Sequence, residues 1–335
     1  VSLLHKNISN NKIGVNKNKI DMQQSTNLNK IEIREILAKF DIHNISSFDL
    51  LIGGSQNTNY LVNSENGKYV LCIFEQKTEK NVKELAHLLK HLEINNFNTS
   101  KLICTSVNES VIIWKNKPIM IKAFIEGKIR KDFPSHLLKL IGKELAKLHQ
   151  IIVPGYLSKQ LNYGKEQFLN VKKYSANSEF DIWLKNILEY ISPYLKLNLP
   201  KSIIHSDVFW DNVIIGEDDN TATIIDFEEA VNYYRLFDIG MTIIGTCGEE
   251  KIINMEKIKH LLDGYQSEVQ LLEDEINSLK AFTIYAGASM TFWRHQNFNY
   301  IIPSAEMSNH YMKLKVLVDD IVKQTDDCFV RLIKN

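Results

Sequence analysis

Apolar and polar positions follow one period in the first part of the chain and another in the rest. "NKIEIREILAKFDI" spaces Ile31, Ile36, Leu37 and Phe40 for a short amphipathic helix. "FDLLIGGSQNTNYLVNSENGKYVLCIFEQK" predicts strands over 48–52, 60–63 and 69–74, joined by a Gly-Gly loop and an Asn66-Gly67 hairpin turn. "KELAHLLKHLEI" then sets Leu85, Leu88, Leu89 and Leu92 on one helical face. "VIIWKNKPIMIKAFIEG" adds strands over 111–114 and 119–124 around a Lys-Asn-Lys-Pro turn, and Gly127 ends the pattern. The expectation is an antiparallel five-stranded sheet accompanied by a helix.

Beyond residue 125 the period becomes helical. "SHLLKLIGKELAKLHQI" aligns Leu137, Leu138, Ile141, Leu145 and Leu148, and further periodic stretches cover roughly 180–195, 251–290 and 306–333. Two strand-like runs, "NVIIG" and "ATIID", interrupt them around the polar turn "EDDNT" and predict a hairpin with acids at its ends. The reading is an α+β chain in two parts, 29–124 and 125–335. Residues 1–28 are rich in Asn and Lys and are expected to be disordered, with Met22 read as the biological start.

Composition narrows the partners. Forty basic residues balance forty acidic ones, so no overall field favours nucleic acid or an anionic membrane. Cys72, Cys104, Cys247 and Cys328 form neither a CxxC pair nor a disulfide framework and read as reduced thiols. No apolar run reaches the roughly 18 residues that span a bilayer, and no apolar signal core opens the chain, so a cytoplasmic location is expected.

The chemistry concentrates in "IIHSDVFWDNVII", residues 203–215, and in "IIDFEEA" after the second strand-like run. With Asp207 in a loop before the hairpin, Asn212 one turn on and Asp226 closing the second strand, three oxygen-bearing side chains can converge. They suit phosphoryl transfer, which needs a carboxylate to take the attacking hydroxyl's proton and hard oxygen ligands for Mg²⁺ on the nucleotide.

These segments resemble the HxDxxxxN and DF/DW(E) pair of the aminoglycoside phosphotransferase and choline kinase superfamily, which has the two-lobed protein-kinase-like fold. "GGSQNTNYLV", "FIEG", "LAKLH" and "FDIG" stand in the expected order, so the resemblance covers roughly residues 45 to 320. It implies an ATP-dependent small-molecule kinase with a small nucleotide-binding lobe and a larger helical one. By resemblance Asp207 is the catalytic base, Asn212 and Asp226 are Mg²⁺ ligands, His205 supports the loop and Asp238 braces it. "GGSQNTNYLV", "FIEG", "HSDVFWDN" and "LLDGYQSEV" are similar to the homoserine kinases of this fold, whereas "DFEEAVNYYRLFDIG" resembles choline and ethanolamine kinases. The homoserine-type layout spans more of the chain. A pseudokinase that kept the fold and lost turnover is the alternative of another class.

The resemblance also implies an ATP site. Gly53, Gly54, Ser55, Asn57 and Thr58 would cover the phosphates, and Phe124 and Ile125 would flank adenine. Three departures stand out: Trp210 replaces a usual Pro, Glu228 a usual Tyr, and Cys72 occupies the third-strand position where a basic residue commonly reaches the phosphates. Lys77, or else Lys68, is the expected substitute, with Glu84 orienting it. For the acceptor, Asp211, Glu228 and Glu229 would hold an ammonium beside Tyr233, Tyr285 or Trp293, and Arg294 a carboxylate.

Overall fold

A computed structural model describes residues 26–51 and 57–334. Helix α1 (Lys30–Ala38) starts where Asn29 Oδ1 accepts from the Ile31 and Glu32 N–H groups while Glu32 accepts from the Asn29 N–H, satisfying end donors reciprocally. Strands β1 (Ile45–Leu51), β2 (Asn57–Ser64) and β3 (Gly67–Phe74) follow, then α2 (Glu79–Ile94), β4 (Leu102–Ile103), β5 (Ile112–Trp114), β6 (Lys117–Ala123) and β7 (Lys128–Ile129). Next come α3 (Ser135–Gln150), the single turns α4 (Lys165–Phe168) and α5 (Lys172–Ser175), and α6 (Glu179–Ile191). Strand β8 (Lys201–Ile204) enters the polar loop; β9 (Val213–Ile215) and β10 (Ala222–Ile224) flank the acidic turn; β11 (Val231–Tyr234) runs straight into α7 (Arg235–Thr246). Helices α8 (Met255–Gln266), α9 (Glu273–Gln296), α10 (His310–Lys323) and α11 (Asp326–Lys334) complete the order.

The described residues form two compact units. The first holds those up to Ile129 together with Ile214–Glu217 and Ile225–Glu228. Its antiparallel sheet runs β1-β2-β3-β6-β4 with β5 also on β6, six strands among the described residues where five were expected. The extra strand, β4, has two residues and leaves no alternation to read. Hairpin β2–β3 closes on Glu65-Asn66 between the paired Ser64 and Gly67, and Gly67 carries the positive φ of 135°. Hairpin β5–β6 turns through Lys115 and Asn116, both at positive φ, which matches the twist of the flanking strands.

On one sheet face Tyr60, Val62, Leu71, Ile73, Ile119 and Ile121 pack with Ile33, Ile36, Leu37 and Phe40. Ile31, expected on that helical face, is 69% exposed, because Ile33 rather than Ile31 shares the phase of Ile36 and Leu37. Residues 1–25 lie outside the described residues, but the last three of the expected disordered stretch are docked. Thr26 N–H donates to Thr58 Oγ1 and Glu75 Oε1, and Leu28 N–H donates to Tyr60 Oη. Late segments join this unit because β9 pairs with β7, Ile215 facing Lys128. Gly127 makes that approach possible: its φ is 150°, and a Cβ there would lie 2.4 Å from the Ile215 carbonyl oxygen.

The second unit holds Arg130–Val213, Asp218–Ile224 and the chain from Glu229 on. Its β8–β11 ribbon pairs Ile204 with Val231 and Lys201 with Tyr234, so the segments entering and leaving the chemistry are tied together. Arg235, opening α7, forms a two-point pair with the buried Glu275, its Nε donating to Oε1 at 2.7 Å. No helix among the described residues is long and apolar enough to cross a membrane.

Candidate active site

The loop after β8 is held by a carboxylate from α7. Asp238 Oδ2 accepts the His205 N–H and Oδ1 the Ser206 N–H, each at 2.7 Å. His149 at the end of α3 reaches the same Oδ2 through Nε2 at 3.1 Å, and its Nδ1 lies 2.9 Å from the Tyr265 hydroxyl. A carboxylate only accepts, so His149 Nε2 donates to Asp238.

These bonds hold Ser206 at φ 68°, a conformation uncommon outside glycine and Asn or Asp. Tyr163 Oη donates to the Ser206 carbonyl, and the Ser206 hydroxyl donates to the Glu229 carbonyl, both at 2.8 Å. His205 is fully buried, and its Nδ1 accepts the Asp207 N–H at 3.2 Å. Both positions fit loop support and leave the half-buried Asp207 carboxylate at the head of the loop.

Asn212 closes the turn. Its Nδ2 donates to the Asp207 carbonyl at 2.8 Å and to Asp207 Oδ2 at 3.3 Å. Its Oδ1 is buried with no hydrogen-bond partner among the described residues. A buried amide oxygen left unmatched costs about 1–3 kcal/mol, and a hard cation would satisfy it. Among the described residues no three His, Cys, Asp or Glu side chains gather to hold a metal alone. A cation on Asn212 therefore needs further oxygens, such as those of a nucleotide's phosphates.

Beside this loop sit Asp211 and Arg294. Asp211 is 1% exposed with Oδ1 unmatched, and burial, aided by Asp207, pushes its carboxyl up to about 6 against the pull of Arg294. Arg294, on α9, is buried over the Phe209 ring at 5.1 Å with no hydrogen bond to its Nε among the described residues. Burial brings its guanidinium down to about 10, and the charges of Asp207 and Asp211 resist the fall. Lys131 lies over the Trp210 ring at 5.6 Å.

The other acceptor candidates diverge. Glu229 accepts from Asn162 Nδ2 at 3.0 Å. Tyr233 and Tyr285 are buried and share a 3.1 Å hydrogen bond, and Tyr285 Oη also accepts the Lys165 N–H. Their hydroxyls are engaged within the unit, so they stand as core aromatics rather than as a face for an ammonium. Trp293 is half-buried, edge-on to Phe298.

Within the first unit, Asp226 stands just after β10 at φ 72°, like Ser206 a non-glycine residue in the left-handed region. Glu228 accepts from Asn57 Nδ2 through Oε1 and pairs with Lys77 Nζ through Oε2 at 3.1 Å, while Lys77 also donates to the Glu228 carbonyl at 3.0 Å. Burial and Asp226 push the Glu228 carboxyl up, with Lys77 and Lys122 opposing. The Glu228 carboxylate is thus already engaged within its own unit, by Asn57 and Lys77.

Thr58 is buried, its hydroxyl donating to Glu75 at 2.6 Å, so it secures the strand instead of offering a donor to phosphate. Glu84 also departs from expectation. It lies on the outer side of α2, 3.8 Å from Lys80, because Val82, Leu85, Leu88 and Leu89 take the inner side. The Phe124 N–H donates to the Lys68 carbonyl at 3.0 Å, Ile125 follows it half-buried, and Gly53, Gly54 and Ser55 lie outside the described residues.

Sequence reading missed Tyr163 and Lys122. Tyr163 stands alone in a polar stretch, without a periodic signal. Lys122 was legible as the one charge inside "IMIKAF", where alternation turns it away from the face of Ile119 and Ile121.

Comparison with known proteins agrees with this architecture. The chain is 25% identical to the homoserine kinase of Agrobacterium fabrum over 290 residues, 84% of this chain and 88% of that one. It is 26% identical to the homoserine kinase of Caulobacter vibrioides over 278 residues, 80% and 86% of the two chains. Its fold matches an amicoumacin kinase solved with AMP-PNP and Ca²⁺ at a TM-score of 0.70 and 15% identity, covering 90% of this chain and 97% of that one. A microcompartment-associated aminopropanol kinase matches equally, at 0.70 and 14% identity over 90% and 98%. Residues 49–266 match the model of the phosphotransferase enzyme family, APH, and with the braced loop, the matched span and the shared fold in agreement, the chain belongs to that family.

Proposed function

We propose that this enzyme transfers the γ-phosphate of ATP to the hydroxyl of a small amino acid, homoserine being the best candidate. The observation that carries the reading is that Asp211 and Arg294, both buried in the unit that holds Asp207, each leave a polar atom unmatched. A buried guanidinium with an unmatched Nε suits an acceptor carboxylate, and a buried carboxylate with an unmatched oxygen suits its ammonium. Choline and ethanolamine carry no carboxylate and would leave Arg294 unused. The similarity to homoserine kinases supports the same choice.

In this reading Asp207 accepts the proton of the acceptor hydroxyl as its oxygen bonds to the γ-phosphorus and the bond to the ADP oxygen breaks. Asn212 and Asp226 are the proposed ligands of Mg²⁺, which would neutralise charge on the phosphates when bound. His205 and Asp238 hold the loop so that Asp207 meets the hydroxyl without rearrangement. Asp211 and Arg294 orient the acceptor by its two charges.

The test is a steady-state assay with Mg²⁺ and ATP against homoserine, choline, ethanolamine and an aminoglycoside. Homoserine should give the highest kcat/KM. A preference for an acceptor without a carboxylate would remove Arg294 from the pocket, and ATP binding without turnover on any hydroxyl would mark a pseudokinase.

A further inference from the structure

Cys72 leaves the third strand without its usual cation, and the sheet register shows where a cation stands instead. Met120 on β6 faces Cys72 on β3, and Lys122 faces Val70, so Lys122 is the diagonal neighbour of Cys72 on the same side of the sheet. Diagonal neighbours lie roughly 7–8 Å apart, within reach of a long side chain. The opposite side is filled by Ile119, Ile121, Leu71 and Ile73, which excludes an ammonium there.

Lys77, the substitute expected from sequence, is engaged elsewhere. Its ammonium is bound to the Glu228 side chain and to the Glu228 carbonyl. Lys68 pairs at the surface with Glu126 at 2.8 Å. Lys122 is half-buried, and its ammonium makes no hydrogen bond or ion pair to any described residue, yet Asp226 and Glu228 act on its charge.

Building on the kinase reading above, we propose that Lys122, displaced by one strand from the usual position, is the lysine that contacts the nucleotide's phosphates. Burial disfavours the charged ammonium, and the nearby carboxylates of Glu228 and Asp226 favour it. Cys72 itself stays neutral, because burial pushes its thiol up to about 11. The cation at this place in the sheet is thus supplied from β6, and a small neutral side chain on β3 leaves room for its stem.

The inference is tested on the intact chain with an ATP acyl-phosphate probe, which acylates the lysine nearest the phosphates, followed by peptide mass spectrometry with and without competing ATP. ATP-protected acylation of Lys122 is expected. Acylation of Lys77 or Lys68 in place of Lys122 overturns the inference and leaves the kinase reading intact. No ATP-protected acylation at any lysine, together with no turnover, removes the kinase reading and the inference with it.

Variants give a second arm. Lys122→Met should lower kcat/KM for ATP by about 10- to 100-fold, the worth of one charged hydrogen bond. Adding Cys72→Lys to that variant should recover at least part of the loss by returning the cation to β3. Activity within threefold of wild type in Lys122→Met overturns the inference. Should that variant fail to fold, acylation of the wild-type chain decides.

Discussion

The side-chain amide of Asn212 donates to the main-chain carbonyl of Asp207 at 2.8 Å, so the proposed metal ligand also sets the backbone that carries the proposed base. Asp207→Asn should keep the fold and nucleotide affinity while lowering kcat by about 10²- to 10⁴-fold, the usual worth of a positioned base. Asn212→Ala should lower kcat and also raise the Mg²⁺ concentration needed for half-maximal rate. Titrating activity against metal for both variants checks the distinction, and an unchanged metal requirement in Asn212→Ala would remove Asn212 from the ligand set.

Arg294→Met should raise the KM for a carboxylate-bearing acceptor by roughly 10- to 100-fold, with KM for ATP unchanged, as expected for a lost charged hydrogen bond. Lysine at this position should restore only part of the loss, since it cannot bind a carboxylate in two-point fashion. Kinetics with each substrate varied in turn separate this from a general folding defect.

Asp211 binds an ammonium only when ionised, and its carboxyl is raised to about 6. Protonation below that pH removes the attraction, so kcat/KM for the acceptor should fall as pH drops through about 6 and level off above it. Asp211→Asn should have a higher acceptor KM at neutral pH and lose this inflection. A wild-type profile flat from pH 5 to 8, measured at saturating ATP, would contradict the assignment.

Gly245 on α7 lies against the proposed catalytic loop: a Cβ there would stand 2.2 Å from the Val208 carbonyl oxygen and 2.8 Å from Phe209 Cα. Gly245→Ala should therefore destabilise the protein by about 1–3 kcal/mol. It should also lower kcat more than either KM, because the displaced backbone carries Asp207. Denaturant unfolding alongside kinetics would show whether stability and turnover fall together.

How far the sequence was legible follows from the range of each interaction. The strands of the sheet and the Leu faces of α2 and α3 rest on local alternation and were readable, whereas two-residue β4 was not. Asp207, Asn212 and Asp226 stood out because so many polar side chains between apolar runs need a common reason. Glu84 misled because an acid early in a helix looks the same facing inward or outward. Lys122 escaped notice because its meaning depends on a strand about fifty residues earlier in which Cys72 is neutral.

The bracing carboxylate of Asp238 has a further consequence, for synthesis. It lies 33 residues after His205, whose N–H it holds, and α3 supplies its histidine partner from 89 residues earlier. A nascent chain released just before α7 would contain every proposed base and metal ligand and still lack the group that shapes their loop. Catalytic competence in this protein is therefore acquired late, when the acceptor for two consecutive backbone donors finally emerges from the ribosome.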